Sequence, residues 1–479
     1  VHQENNFIDF NRDRLLHHMM STPGPKSAIG DLNKDGIQDV IIGGSKGFRS
    51  EVLLGNQQGQ YKHSKEFNFS EDLAAEVTAV ALLDADGDGD LDIYMGNGGI
   101  EFSKFSSELA DQLYLNNGDG IFSPSPNVLP TASSYFNTSV VSTGDFDQDG
   151  DTDLFVGERS ITAAYGVPVN GHLLRNDGTG IFADQTAILA PGLNEIGMIT
   201  DANFNDIDTD GDLDLVVIGE FMGIEIFLND QGSFTKKASE LQQEKGWWSA
   251  LKIADVNQDG FPDLILGNHG ENSRFKASKE QPICLFVQDF DQNGALDPVM
   301  GFTATDGKVY PYNLRHNLID QMKGLKKKFP DYNSFKNADL NTIFSEEALN
   351  LSTKATAVEL KTSIYINDGN GGFTSIPLPK QVQMSPIFAI ETGDFDLDGD
   401  IDIVLAGNLF RVKPEVGRYD ASFGTFLENT GNDTIGTPIF KVTPGNKGLK
   451  VTGEVRSIQK TNNTLLFVRN SDAILRYKF

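Results

Sequence analysis

The sequence predicts an all-β chain, a β-propeller of seven four-stranded blades with eight as the alternative, and three observations predict it. An acidic loop pattern recurs seven times, apolar runs of strand length flank the copies, and 479 residues exceed what one conventional core of roughly 100–200 residues organises. A repeat architecture accounts for all three.

The pattern is D-x-[DN]-x-[DN]-G-x-x-D. Its polar positions are Asp31, Asn33, Asp35 and Asp39, then Asp84, Asp86, Asp88 and Asp92, then Asp145, Asp147, Asp149 and Asp153. Asp206, Asp208, Asp210 and Asp214 follow, then Asp255, Asn257, Asp259 and Asp263, then Asp289, Asp291, Asn293 and Asp297, and last Asp394, Asp396, Asp398 and Asp402. Calcium takes six to eight hard oxygen ligands, and side chains at alternate positions of a tight loop converge on one ion. The glycine in each copy (Gly36, Gly89, Gly150, Gly211, Gly260, Gly294, Gly399) serves the turn. Up to seven Ca²⁺ ions are therefore expected. The spacing matches the start of an EF-hand loop, but the twelfth-position Glu and the helical flanks are missing.

Strands flank the loops instead. Residues 78–83 and 249–254 precede a loop, and 214–218 and 402–406 follow one. A second hairpin with an Asn-Asp-Gly type of turn then joins 172–176 to 181–182, 224–229 to Phe234, and 363–367 to Phe373. Four strands per unit, repeated radially, make a propeller that hides most sheet edges between blades.

The loops resemble the FG-GAP or VCBS repeats of integrin-α-like propellers. The segments 246–248, 267–273 and 417–422 also resemble the propellers of large VCBS-repeat surface proteins of Bacteroidetes. That resemblance implies a secreted or outer-membrane-anchored propeller without established chemistry, usually inside a longer polypeptide. The implied partners are a protein or glycan at the bacterial surface, or the transporter components of an outer-membrane nutrient-uptake assembly.

Successive first ligands are evenly spaced except around the sixth loop, and no Asn-Asp-Gly hairpin follows the fifth loop until residues 367–373. The expectation is one propeller over residues 1–479 with an excursion, 269–361, inserted into the fifth blade. A helix is expected inside the excursion, from Leu314, Leu318, Met322 and Leu325, with Lys326–Lys328 at its end. Residues 454–460, 465–469 and 474–479 supply three strands without a loop. Residues 6–10 are expected to add a fourth and close the ring; a blade headed by the sixth loop gives the count of eight.

A net charge of −29 excludes nucleic acid as the main partner, and no apolar run reaches the length of a membrane span. The sequence from Val1 does not open on a charged segment followed by an apolar run, as a mature or trimmed chain would not. The single Cys284, in an apolar stretch, is expected to be a small buried hydrophobe. Gly43–Gly47 matches G-x-S-x-G but follows a blade strand without a succeeding helix, so the chain is expected to be non-catalytic. The rival readings are a polysaccharide lyase or hydrolase on a calcium propeller, and a structural spacer.

In a four-stranded blade the 1–2 and 3–4 turns share one face, and the 2–3 and 4–1 connections share the other. The face away from the loops then collects Glu158, Arg159, Glu220, Phe221 and residues 408–411. Its candidate ligand-binding residues are Trp247, Trp248, Asn268, Asn272, Arg418, Tyr419 and Asp420.

Overall fold

The computed structural model describes residues 1–64, 69, 72–376 and 378–479. The first sheet comprises β1 (Ser27–Gly30), β2 (Asp39–Ile42), β3 (Glu51–Gly55) and β4 (Tyr61–His63), hydrogen-bonded in chain order. The second follows the same plan with β5 (Val77–Leu83), β6 (Asp92–Asn97), β7 (Gln112–Asn116) and β8 (Phe122–Pro124). The third has β9 (Thr138–Gly144), β10 (Asp153–Glu158), β11 (Gly171–Asn176) and β12 (Phe182–Asp184). The fourth has β13 (Met198–Asn205), β14 (Asp214–Met222), β15 (Glu225–Asp230) and β16 (Ser233–Lys236), with β17 (Gly246–Trp247) paired to the end of β14.

After β18 (Ala250–Ala254) and β19 (Asp263–Gly267) the chain leaves the pattern. It forms β20 (Ile283–Gln288), β21 (Asp297–Thr303), β22 (Val309–Pro311) and β23 (Thr353–Ala357), a sheet ordered β22-β21-β20-β23. It then returns as β24 (Ser363–Asn367) and β25 (Phe373–Ile376) to complete the fifth sheet, with Leu266 directly opposite Ser363. The sixth sheet is β26 (Ile387–Gly393), β27 (Asp402–Gly407), β28 (Thr425–Asn432) and β29 (Pro438–Val442). A closing sheet has β30 (Glu454–Thr461), β31 (Thr464–Asn470) and β32 (Leu475–Lys478).

The first strands make a circuit, β1 beside β5, then β9, β13, β18, β26 and β30, and back to β1. Second strands lie between two neighbouring sheets and are buried on both faces, which is why β2, β6, β14, β19 and β27 read as nearly unbroken apolar runs. Alternate residues of one strand serve opposite neighbours. Leu215 and Val217 pack towards the third sheet, whereas Val216 and Ile218 pack towards the fifth. The seam between closing and first sheets is built likewise, from Val40, Ile42 and Leu53 against Leu466 and Val468. Fourth strands such as β4 and β8 face water and are mostly exposed.

The sheet β20–β23 stands off the circuit, next to β14 and β17. Ile283, Leu285 and Met300 from it join Tyr165, Met198, Phe221 and Trp247 of the ring in one cluster. Its own helices, at Arg315–Gln321, Leu325–Lys328, Tyr332–Phe335, Leu340–Ile343 and Glu346–Leu351, enclose a second cluster with Leu318, Met322, Phe329 and Leu15. The single helix expected over 314–325 is broken in two at 322–324, where Met322 leaves helical geometry ahead of Gly324. Lys326 and Lys327 are exposed, and Lys328 Nζ reaches the Ile343 carbonyl at 3.3 Å. Cys284 is buried in β20, and burial raises its thiol pKa.

Residues 6–10 do not extend the closing sheet. That sheet has three strands, and Asp9–Asn11 forms a turn of 3₁₀ helix instead. The reason is local: buried Asp9 accepts the Met20 and Ser21 amides through Oδ2 (2.5 and 3.0 Å), folding residues 9–21 back on themselves. This segment crosses the ring face, bridging His18 to Val412 and donating from Met19 N to the Arg411 carbonyl.

Because Leu266 and Ser363 are paired neighbours, a chain lacking residues 269–361 needs only a short turn to rejoin. Replacing them by a short Gly/Ser linker should leave a cooperative melt that still responds to calcium, with Trp247 newly exposed. Differential scanning calorimetry with tryptophan emission checks both; loss of the cooperative transition would show that the ring needs this sheet.

Candidate functional site

Six loops head the first six sheets of the circuit, and the seventh joins β20 to β21. All are built alike. The first Asp accepts the amide of the glycine five residues on, at 2.8–3.1 Å from Gly36 to Asp31 through Gly399 to Asp394. The fourth position is left-handed in every loop, at Lys34, Gly87, Gln148, Thr209, Gln258, Gln292 and Leu397. The sixth-position glycines have φ between 80° and 100°, and an added Cβ would meet nothing within 4 Å. Backbone conformation, rather than crowding, demands glycine there.

Five loops bring three Asp carboxylates within 4.8 Å of one another: Asp84, Asp86 and Asp92; Asp145, Asp147 and Asp153; Asp206, Asp208 and Asp210; Asp289, Asp291 and Asp297; Asp394, Asp396 and Asp402. In three of them Oδ1 of the third-position carboxylate (Asp86, Asp147, Asp396) is buried without a hydrogen-bond partner. An orphaned anionic oxygen in low dielectric is costly unless a cation meets it, and hard oxygens at this spacing could hold a divalent ion such as Ca²⁺. The loops headed by Asp31 and Asp255 carry Asn33 and Asn257 at the third position, where the other five carry Asp. Three loops also hold a side-chain cation: Lys34 on Asp90, Arg175 on Asp147 and Asp149, and Lys447 on Asp396.

The last Asp of each loop also holds the backbone around it. Asp39, Asp92, Asp153, Asp214, Asp263, Asp297 and Asp402 are all fully buried. Oδ2 accepts the amide of the loop's second residue, from Leu32 in the first to Phe395 in the last. Oδ1 accepts an amide at the end of the third strand, from Gly55, Asn116, Asn176, Asn229, Asn367 or Asn429. Each of those Asn side chains donates to the carbonyl of the second loop residue in the preceding sheet. Asn116 reaches Leu32, Asn176 reaches Ala85, Asn229 reaches Phe146, Asn367 reaches Ile207, and Asn429 reaches Val256, at 2.7–2.9 Å. A continuous belt of hydrogen bonds thus ties six loops together and passes over the loop at 289–297, whose last Asp accepts from Gln321.

Burial opposes charge on these carboxyls more than their amide donors favour it. The pKa is raised to about 6 for Asp39, Asp92, Asp214 and Asp402, and to about 7 for Asp153 and Asp263.

On the opposite face the circuit opens into a cavity of about 120 Å³. Its floor is a ring of one residue from the start of each first strand: Lys26, Thr78, Ser139, Thr200, Ser249, Phe388 and Arg456. Five of these are bulged out of register with the second strand. The four hydroxyls each donate to the next sheet, Thr78 to Thr138, Ser139 to Ile199, Thr200 to Trp248 and Ser249 to Ile387. Arg456 lies over the Phe388 ring, 4.3 Å from its centroid. Above the floor stand Arg159, His269 and Arg411 from the connections after second strands, Glu220 from β14 and Trp247 from β17, with His17–Met20 across the top.

Glu220 organises the wall. It accepts Arg159 Nη2 at 2.8 Å and the Tyr165 hydroxyl at 2.9 Å, with His18 Nε2 3.4 Å away. Phe221 beside it has φ 57°, an uncommon conformation for a bulky residue, and packs edge-on to Trp247. His17 stacks on the other side of Trp247 at 4.9 Å. Burial holds the pKa of His18 and His269 down to about 3, so both imidazoles are neutral at pH 7.

The seven expected ligand-binding residues separate into three groups. Trp247 and Tyr419 are buried and both pack edge-on to the His269 ring, at 5.1 and 4.7 Å. Trp248 and Asn268 are fully buried structural groups; the indole donates to the Glu244 carbonyl and the amide to the Glu359 carbonyl. Asn272, Arg418 and Asp420 are exposed, with Arg418 3.4 Å from Asp420 and stacked 3.5 Å from the Phe410 centroid. The topological argument placed Arg159, Glu220 and residues 408–411 on the correct face, but missed His17, His18, Lys26 and Arg456. Counting back six residues from a first loop Asp would have found most of the floor, since 84, 145, 206, 255 and 394 lead to Thr78, Ser139, Thr200, Ser249 and Phe388. Ser45 of the G-x-S-x-G match is fully buried and donates to the Gln3 carbonyl.

The loops, strands and circuit define a β-propeller, and three stretches of it are similar to a known repeat. The FG-GAP-like repeat matches residues 31–95, 103–156 and 206–266. Human integrin alpha-6 is 29% identical over 151 residues, 30% of this chain and 13% of the integrin, so the match spans a small part of that protein. Among solved structures, a lectin of Agrocybe aegerita described as recognising non-reducing terminal N-acetylglucosamine aligns with TM-score 0.46 and 17% identity, covering 92% of this chain and 83% of the lectin. YCF48 bound to a D1 peptide aligns with TM-score 0.43 and 9% identity over 97% and 96%. The Dos1 propeller gives 0.42 and 9% over 96% and 94%. No helix among the described residues is long and apolar enough to cross a membrane.

Two predictions follow from the loops. Asn229→Ala removes the inter-sheet bond to Phe146, the bond to Leu213 and the acceptor for Gly232 N. It should cost about 2–4 kcal/mol in urea denaturation with calcium present; a loss below about 0.5 kcal/mol would mean that the belt is not a stabilising element. The raised carboxyl pKa values also fix a sign. Without cations these six carboxyls retain protons that the unfolded chain has released, so their contribution to stability is fully present below about pH 4 and is lost as pH rises through 6–7. Melts in calcium-free buffer from pH 4.5 to 7.5 should show that fall, and millimolar calcium should abolish it.

Proposed function

We propose that this chain is a calcium-stabilised extracellular binding or scaffold module for a protein or glycan partner at a bacterial surface. The orphaned, buried carboxylate oxygens of Asp86, Asp147 and Asp396 carry the calcium part of the reading, because they need a hard cation that the protein side chains do not fully supply. Ions at millimolar extracellular levels suit loops of this kind. Bound calcium would then hold the belt rigid while the opposite face stays free to recognise.

The docking surface in this reading is the exposed edge where residues 271–276 meet 410–420. Arg418 and Asp420 stand in solvent there, Asn272 donates to the Met384 carbonyl at 3.1 Å, and Arg274 lies over Tyr312. Tyr419 supports this edge from beneath, so its removal would disturb the His269 packing as well as any contact.

The test is retention of the protein on a polysaccharide panel and on solubilised surface protein, with calcium and with EGTA, assayed in parallel for new reducing ends. Asn272→Ala combined with Arg418→Ala should weaken retention by at least ~30-fold, about 2 kcal/mol, at unchanged melting temperature. Asp177→Ala, in the turn between β11 and β12 on the loop face, should leave retention unaltered. A melting temperature indifferent to EGTA would remove calcium from the proposal, and new reducing ends would replace binding by catalysis.

A further inference from the structure

The cavity beneath the N-terminal segment carries charged and hydrogen-bonding groups that the surface reading leaves without a role. Five of its lining residues carry buried polar atoms that meet no partner among the described residues: Thr22 Oγ1, Arg159 Nε, Ser160 Oγ, Trp247 Nε1 and His269 Nε2. Thr22, Ser160, Trp247 and His269 are themselves at most 7% exposed. Arg159 Nε and Trp247 Nε1 can only donate, whereas no carboxylate oxygen of the lining is orphaned. The unmet demand is for acceptors.

Charge points the same way. Arg159 is paired with Glu220 and Arg456 with Glu454. Lys26 has no carboxylate within ion-pair distance and no acceptor among the described residues, and Arg411 makes one long bond to the Ser471 hydroxyl, 3.3 Å. In a chain of net charge −29, this chamber holds two cations beyond its carboxylates. Asp201, whose charge Lys26 feels, gives its oxygens to the Leu251 and Ala202 amides. Glu4, close to Arg411 and Arg456 but outside the lining, has its pKa pushed up to about 8 by burial and is neutral at pH 7.

We propose that this chamber binds one small hydroxylated carboxylate, a sugar acid or hydroxy acid, with Lys26 as the counter-ion of its carboxylate. The Trp247 indole donates to a ligand oxygen, while Ser160 and the neutral His269 exchange hydrogen bonds with its hydroxyls. Trp247 offers its edge rather than a stacking face, because His17, Phe221, His269 and Phe275 already pack around the ring. At about 120 Å³, the space suits on the order of ten non-hydrogen atoms, too few for an oligosaccharide.

The test is isothermal titration of the full chain, in calcium buffer of matched ionic strength, with sodium D-glucuronate, sodium L-malate, D-glucose and sodium chloride. At least one of the two carboxylates should bind saturably at one site, and glucose and chloride should not. Lys26→Met should weaken that binding at least tenfold. Trp247→Phe keeps an aromatic ring, though a smaller one, and removes the donor, so it should weaken binding at least threefold and serves if Lys26→Met does not fold. Saturation by glucose equal to that by glucuronate, the absence of saturable binding by either carboxylate, or unchanged affinity in the folded variants would each overturn the assignment. Asn272→Ala with Arg418→Ala should bind the carboxylate as the parent chain does, so this proposal and the surface-partner reading fail separately.

Discussion

Everything in this ring hangs on a buried carboxylate that accepts two backbone amides. The last Asp of each ring loop holds the start of its own loop with one oxygen and the end of its own third strand with the other. In five sheets the strand-end Asn then reaches the preceding sheet, so the first five ring loops are fixed by a neighbour as well as by themselves. The apolar clusters between sheets provide most of the burial, but they are non-directional and tolerate sliding. The belt supplies the register that those clusters lack. Cation binding, if it orders the outer carboxylates of a loop, is thereby transmitted to the sheets on both sides.

The repeat was legible because its period is written in residues with few substitutes. Asp at alternate positions and glycine at the left-handed sixth position gave the loops, the two strands beside each loop, and the sheet plan. The excursion after β19 was equally visible, since the Asn-Asp-Gly hairpin that completes the fifth sheet is displaced in the chain to residues 367–373. The fate of residues 6–10 was not. A short apolar run gives no sign that Asp9 will capture the amides of Met20 and Ser21 and turn the segment away from the closing sheet. The same limit hid the chamber. Lys26, His17 and Arg456 come from opposite ends of the sequence, and nothing local marks them as neighbours.

The expected recognition residues divide between buried and exposed for one physical reason. Exposure on a propeller face was argued from strand order, which fixes where a connection emerges but not what is later laid over it. Here β20–β23 and residues 9–21 cover the centre of that face, converting Trp247 and Tyr419 into buried groups and leaving only the rim open. The covering also makes the chamber: without His17–Met20 above them, Lys26 and Arg411 would be hydrated and would need no partner.

The belt has a beginning and an end. It starts at Leu32 in the first sheet and finishes at Asn429 in the sixth, because the closing sheet has no acidic loop and the first sheet carries Gly55 where the others carry Asn. Mechanically the ring is therefore a strip with a seam rather than a hoop. The seam is held by Val40, Ile42 and Leu53 against Leu466 and Val468, and by Ser27 against Ser457, none of which depends on an ion. Tension drawn across the molecule would meet two different materials: a polar, hydrogen-bonded strip over most of the circumference, and one oily joint that yields in proportion to the apolar surface it exposes.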